Sequence, residues 1–279
     1  MINKKLKLNY SKYKNLIIDE IWALIPARSG SKSIKNKNIT NLNGKPLMAY
    51  SINHAKKTKY IKRIIFSSDS EKYIEIAKKY GCKDFHLRTK ETSSDQASEH
   101  SVFFDFIKKR LINGKNVPKY FLHLRPTTPM RKISTINKAL EMFLKLNKNY
   151  TCLRTMTEMS NPSYRTFRIY RNKLMSIIKK DYDIDKYAIP RQNFHNTYFC
   201  NTIADVYLTE TILKGKLFGN KVFPMVVKDQ YCDIDALKDL KLASILIKNN
   251  KHITCCIIKR LEIQFWKCTC FILLHSLHV

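Results

Sequence analysis

The chain has 279 residues, with 52 Lys and Arg against 22 Asp and Glu, for a formal net charge of +30, yet 44% of it is hydrophobic and 11% aromatic. That composition excludes a disordered basic tail and suits one large domain, or a domain with an appendage. The charge asks for a polyanionic partner such as nucleic acid, an anionic membrane or a phosphate-rich substrate, without saying which. No apolar run approaches the roughly 20 residues of a membrane span. The basic N-terminus also lacks the apolar core and cleavage site of a secretory signal, so a cytoplasmic protein with reduced, buried Cys82, Cys152, Cys200 and Cys232 is expected.

In chain order, Ile21–Pro26 is a short apolar run ending in a Gly/Ser loop, as for a buried parallel strand. A long polar loop, 27–46, leads to a helix in which Met48, Ile52 and Ala55 share a face, with Pro46 at its first position. A second strand ends near Ser67. Ser70 then caps a helix with Tyr73, Ala77 and Tyr80 on one side and Gly81 as its stop. Residues 98–111 form a third helix, 119–124 a third strand, and Ile133, Ile136, Leu140 and Phe143 mark a fourth helix. This alternation predicts a right-handed α/β fold with a mainly parallel sheet. From Tyr150 to Tyr207 the pattern becomes extended, with a turn at 171–173, and reads as an antiparallel insertion. A strand at 222–227, an acidic turn and a helix through Ala236, Leu240, Ala243 and Ile247 resume the alternation. The domain limits are therefore a basic extension (1–20), a main domain (21–248, insertion 150–207 included) and a Cys/His-rich tail (249–279).

Three segments carry chemistry to the carboxyl edge of such a sheet, where ligands of α/β folds collect. The loop from Pro26 to Ile39 offers Gly30, flanking serines and the cations Arg28, Lys32, Lys35 and Lys37, which suits a triphosphate; a solvated basic loop is the plain alternative, and no Walker loop is present. Asp233 and Asp235 stand two apart at a strand end and so point to one side, a hard-oxygen pair suited to Mg²⁺. A helix cap would explain Asp235 equally well, though not Asp233. In 124–131, Pro126 and Pro129 stiffen a loop carrying Arg125, Thr127 and Thr128. Together the three point to magnesium-dependent nucleotide chemistry. Trp22, His54, His86 and His123 read as packing or exposed residues, the lysine pairs at 56–57, 78–79 and 108–109 as solvated helix faces, and the tail cysteines and histidines do not match zinc spacing.

PARSGSKSIKNKNI, NLNGKPLMAYSI, SSDSEKYIEIAKKYG, LRTKETSSDQAS, HLRPTTPMR and DIDALKDLKLA occur in an order that resembles the cytidylyltransferases that activate sialic acid and related nonulosonic acids, over about 21–248. The resemblance implies a three-layer, Rossmann-like nucleotidyltransferase fold and transfer of CMP from CTP to the anomeric hydroxyl of an acidic nine-carbon sugar, with release of pyrophosphate. It implies a nucleotide site at Ala27, Arg28, Ser29, Gly30, Lys32, Lys37, Asn38, Arg88, Ser94 and Ser98, with Arg28, Lys37 and Asp235 catalytic and Mg²⁺ on Asp233 and Asp235. The sugar would meet Arg125, Thr127, Arg191, Gln192, Asn201 and Asp205. The insertion would make a homodimer and lend residues to the neighbouring site. Arg125 where many relatives have Gln, Thr202 and Ser33 where glycine is usual, and Ala236 where Thr is usual leave the sugar open. The alternatives are a 3-deoxy-manno-octulosonate or other nucleotide-sugar transferase and, more distantly, a basic nucleic-acid-binding protein, for which no nucleic-acid module is visible.

Overall fold

The computed structural model describes residues 6–146, 149–178, 180 and 182–249. The Cys/His-rich tail beyond 249 lies outside these residues, and so does its zinc question.

A seven-stranded sheet forms the spine. Its members in chain order are β1 (Ile17–Pro26), β4 (Ile61–Ser68), β5 (Asp84–Leu87), β6 (Val117–His123), β7 (Cys152–Glu158), β10 (Tyr198–Leu208) and β11 (Val222–Val226), and their spatial order is β11-β7-β10-β6-β1-β4-β5. β1 is parallel to both β4 and β6, β4 to β5, and β7 to β11; β10 alone runs antiparallel, between β6 and β7. Central β1 is buried on both faces, which is why it reads as an unbroken apolar run. Ile21, Ala23 and Ile25 join one core, and Trp22 and Leu24 the other.

Helices cover the two faces and give three layers. α1 (Leu47–Lys57), α2 (Glu71–Lys79) and α5 (Ile133–Leu146) bury Met48, Ile52, Tyr73, Ala77, Leu140 and Phe143 on one side. α4 (Glu99–Ile112) and the short α6 (Thr209–Leu213) bury Phe103, Phe106, Ile107 and Ile212 on the other. Ser70 and Ser98 cap α2 and α4 with their side chains, accepting from the amides of Tyr73 and Ser101. A seventh helix, α7, spans 237–249 and presses Ala243, Leu240 and Ile247 onto Ile34, Leu42 and Leu47.

Several boundaries differ from expectation. β1 begins at Ile17, and Leu8, Tyr10, Tyr13 and Leu16 pack on the core, so the N-terminal extension is largely part of the domain. Pro46 is the N-cap of α1 instead of its first residue. The polar loop 27–46 contains a small hairpin, β2 (Asn41–Leu42) and β3 (Lys45–Pro46), turned by Asn43 and Gly44, both at positive φ as a two-residue hairpin requires. β5 and the four-residue α3 (Lys90–Ser93) were not anticipated; at four residues each they are too short to show a period. The two ends of the supposed insertion, β7 and β10, belong to the main sheet, and what projects is 159–197. That segment carries the hairpin β8 (Phe167–Tyr170) and β9 (Lys173–Ser176), with Arg171 and Asn172 at positive φ in the expected turn. Among the described residues no helix is long and apolar enough to cross a membrane.

Candidate functional site

A cleft of about 470 Å³ opens at the carboxyl edge of β1 and β6. The loop after β1 forms one wall. Asp69, just beyond β4, accepts from both the amide and the hydroxyl of Ser29 (2.8 and 2.9 Å), and the Asn38 side chain donates to the carbonyl of Arg28 (2.8 Å). These bonds shape a loop that has little regular structure of its own. They hold Arg28, Lys32, Lys37 and Asn38 along the cleft. Arg28 and Lys32 both reach Asp95, at 2.7 and 2.5 Å, and their hydrogen bonds hold its carboxyl below its ordinary pKa. Arg88 closes this end. Its Nη2 donates to the Thr92 carbonyl, its buried Nε has no partner, and burial lowers its pKa to about 10, which leaves it a cation at neutral pH.

The opposite wall carries the acidic segment. Lys37 Nζ bridges to it, donating to the Ile234 carbonyl at 2.9 Å and to Asp235 Oδ1 at 3.2 Å. The Asp235 side chain is 78% exposed. It does not cap α7; Asp239, in the first turn of that helix, reaches back to accept from the amides of Asp235 and Ala236 at 3.0 and 2.8 Å. Thus the cap alternative for Asp235 is not realised, and Ala236, whose carbonyl accepts from the amides of Asp239 and Leu240, brings no side-chain acceptor to the helix start. Asp233 Oδ1 is buried without a partner. A buried, undonated carboxylate oxygen beside an exposed carboxylate fits a hard divalent cation that takes its remaining ligands from phosphates and water. Among the described residues no group of three or more His, Cys, Asp or Glu forms a self-sufficient metal centre, so phosphate oxygens would have to complete this one.

The floor is built by β6, α4 and the loop 124–131. Arg125 gives Nε and Nη2 to the two carboxylate oxygens of Glu99 (2.5 and 2.7 Å) and Nη1 to Asp205 (3.1 Å). Arg154 grips Asp205 from the other side with two bonds of 3.1 Å. The wholly buried Asp205 is thereby flanked by two guanidiniums, and Arg125 is oriented before any ligand arrives. Thr127 lines the cleft and is tied to the acidic segment through its carbonyl, which accepts from the Ile234 amide at 2.8 Å.

The profile of the family described as cytidylyltransferase matches residues 22–253. The chain belongs to the cytidylyltransferase family. It is a nucleotidyltransferase. The N-acylneuraminate cytidylyltransferase of Escherichia coli O18:K1:H7 is 34% identical over 235 residues, covering 84% of this chain and 53% of that protein, so the chain spans about half the length of that relative. The pseudaminic acid cytidylyltransferase of Campylobacter jejuni is 31% identical over 231 residues, covering 81% of this chain and 96% of that one. Among solved structures, a CMP:2-keto-3-deoxy-manno-octonic acid synthetase complexed with CTP superposes with a TM-score of 0.59 at 13% identity, over 83% of this chain and all of that one. A 4-diphosphocytidyl-2C-methyl-D-erythritol synthase from Anaerococcus prevotii gives 0.56 at 12% identity, over 82% and 96%. These likenesses establish the three-layer nucleotidyltransferase fold.

Of the residues expected in a cytidylyltransferase site, the cleft gathers Arg28, Lys32, Lys37, Asn38, Arg88, Arg125, Thr127 and Asp235. Ala27, Ser29, Gly30, Ser94, Ser98 and Asp233 are outside its lining, and because β11 ends at Val226 the two aspartates do not stand at the expected strand end. Ser29 is engaged by Asp69, Ser94 donates to the Glu91 carbonyl, and Ser98 caps α4. Asn201 and Asp205 are buried with internal partners: Asn201 bonds Thr155, Thr157 and the Ile203 amide, and Asp205 holds the two arginines. Thr128, expected to face the edge, turns inward to Thr202. Arg191 and Gln192 lie on the projecting segment, exposed and away from this chain's own cleft, with Arg191 3.8 Å from Glu158. Sequence reasoning missed Asp69, Asp95, Glu99 and Phe103. Asp69 and Asp95 stood within quoted motifs, but their role depends on a loop that is distant in sequence.

Proposed function

We propose that the chain transfers CMP from CTP to the anomeric hydroxyl of a sialic-acid-like nonulosonic acid and releases pyrophosphate, with Mg²⁺ held by Asp233 and Asp235. One observation carries the reading: a basic loop and an acidic segment face each other across a single cleft and meet at the Lys37–Asp235 pair. The names of the relatives, N-acylneuraminate and pseudaminic acid cytidylyltransferases, support an acidic acceptor sugar of that class.

In this reading Arg28, Lys32 and Lys37 receive the triphosphate. Each is paired to a carboxylate without ligand, so phosphate oxygens exchange one anionic partner for another and no bare cation need be desolvated. Arg88 offers its unpartnered Nε to the same anion. Magnesium, when bound, supplies Lewis-acid neutralisation of phosphate charge. Arg125 stands at the sugar end as a cation for the sugar carboxylate. The sugar hydroxyl oxygen bonds to the α-phosphorus, and the bond from that phosphorus to the bridging oxygen breaks. Pyrophosphate leaves with the electron pair, and the hydroxyl proton is released to solvent. Positioning and charge neutralisation supply most of the rate.

The projecting segment exposes Ile169, Tyr170, Leu174 and Ile177, and the adjoining start of β10 exposes Tyr198 and Phe199, apolar residues suited to a second copy of the chain. Dimerisation there would give Arg191 and Gln192 a role in the neighbouring cleft. The test is pyrophosphate release from CTP and Mg²⁺ with a panel of acceptors: N-acetylneuraminic, pseudaminic, legionaminic and 3-deoxy-manno-octulosonic acids. Turnover of a nine-carbon acid is expected; turnover of the octulosonic acid alone would replace the acceptor class.

A further inference from the structure

Among the described residues, two buried nitrogen atoms of cleft-lining side chains lack partners, Nε of Arg88 and Nε2 of His123. The triphosphate accounts for the first, and nothing in the reaction so far uses the second. His123 ends β6 at the floor of the cleft, only 1% exposed, with its ring edge-on to Phe103 (centroids 5.1 Å apart, 80° between planes). Its Nδ1 lies 3.1 Å from the Tyr207 hydroxyl, and that hydroxyl donates to Asp205 Oδ2 at 3.2 Å.

This chain of bonds decides where the imidazole proton sits. The Asp205 carboxylate, gripped by Arg125 and Arg154, can only accept. Tyr207 therefore commits its proton to Asp205, and its oxygen must accept from His123 Nδ1–H. The ring keeps a bare lone pair on Nε2. Burial, reinforced by Arg125, pushes the His123 pKa well below its ordinary value, so the ring is neutral at physiological pH and Nε2 remains an acceptor.

Building on the nonulosonic-acid reading, we propose that His123 is a sugar-binding residue, its Nε2 accepting a hydrogen bond from an N–H or O–H donor of the acceptor sugar. The wall around it combines apolar Val102, Phe103 and Pro126 with a second acceptor, Glu99. An acylamino group, an N–H beside a methyl, matches acceptors set in an apolar wall. Ionised phosphates offer no donor to it, and the cations that suit them stand on the loop after β1. A buried acceptor held in one tautomer discriminates against ligands that leave it unpaired.

The test measures KM for sugar and for CTP separately in wild type, His123→Phe and His123→Gln, using the nonulosonic acid that wild type turns over best. Phe keeps the ring packing and removes the acceptor; Gln restores an amide oxygen. The sugar KM should rise roughly tenfold or more in the Phe variant, with the CTP KM within twofold of wild type, and Gln should recover part of the loss. A Leu variant gives the same reading if the Phe variant does not fold. An unchanged sugar KM, or a rise confined to CTP, overturns the assignment while wild-type turnover leaves the proposed reaction standing. Absence of wild-type turnover with every nonulosonic acid overturns that reaction, and the His123 assignment with it.

Discussion

At the scale of single residues, the acidic pair and one strained threonine say most. The Asp235 side chain is largely exposed and does not cap α7, so its removal should leave the fold intact. Asp235→Ala is expected to lower kcat/KM by at least about a hundredfold, with the unfolding temperature within about 2 °C of wild type; wild-type-like turnover would remove the metal assignment. Thr202 lies at φ 55, in the left-handed region that a β-branched residue rarely enters, where β10 breaks register between Cys200 and Asp205. Glycine, usual at this position in the family the sequence resembles, would adopt the same φ without strain. The strain is held by a 2.6 Å bond between the Thr202 and Thr128 hydroxyls and by Arg131 at the Thr202 carbonyl. Thr202→Gly trades strain relief for that bond and should be neutral within about 1 kcal/mol, whereas Thr202→Val keeps the strain, strands Thr128, and should cost about 2 kcal/mol in denaturant unfolding. Gly30 and Ser33, by contrast, adopt no left-handed conformation, and a Cβ at Gly30 would meet open space. Glycine in that loop is therefore not required by the unliganded backbone.

At the scale of elements, the helices and the central strands were legible because burial imposes a period: Met48, Ile52 and Ala55, or Ile136, Leu140 and Phe143, lie on one face and do lie in the core. The direction and neighbours of β7 and β10 were not legible, since an antiparallel strand inside a parallel sheet carries the same apolar pattern as an antiparallel insertion. The Asn43-Gly44 turn was present in the quoted signature, yet strands of two residues are too short to show alternation. The phosphate loop has the same character. Its cations could be read from the sequence, but the groups that shape it, Asp69 above all, stand 40 residues away. Asp69→Ala should raise the CTP KM about tenfold and leave the sugar KM unchanged, because it frees one amide and one hydroxyl of the loop; equal KM values for CTP in both proteins would show that the loop holds itself. Gly219 makes a packing point: at φ 72, an added Cβ would come 2.4 Å from the Thr151 hydroxyl that ties the start of β7 to the β11 side. Gly219→Ala should therefore destabilise by more than about 2 kcal/mol.

At the scale of the whole molecule, the excess of 30 positive charges narrows to a few cations with a defined place. Arg28, Lys32 and Lys37 sit in the cleft, while lysines such as Lys78, Lys109 and Lys214 pair with neighbours on exposed helix faces. The histidines act in the other direction. His54 is pushed down to about 3 by burial and then by Arg131 and Lys57, and His86 and His123 are also lowered, chiefly by burial. Their folded pKa values lie below the unfolded value of about 6.5, so the unfolded chain takes up protons that the folded chain cannot. Stability is full above about pH 6.5 and falls as pH drops toward the folded values. His54 alone contributes roughly 1–2 kcal/mol of loss by pH 5. Thermal unfolding should fall between pH 7.5 and pH 5, and less steeply in His54→Leu; parallel profiles would contradict the linkage. Substituting aspartate at both Ile169 of the projecting segment and Phe199 of β10, which are 77% and 51% exposed, should yield monomers in sedimentation if these residues join two copies.

The central claim, CMP transfer to a nonulosonic acid, is tested most directly by following the phosphorus of CTP by ³¹P NMR with Mg²⁺ and each nine-carbon acid in turn. With one of them the triphosphate signals should give way to equal amounts of pyrophosphate and a new phosphodiester. Loss of CTP to CDP and inorganic phosphate, or no change with any of the acids, would contradict it.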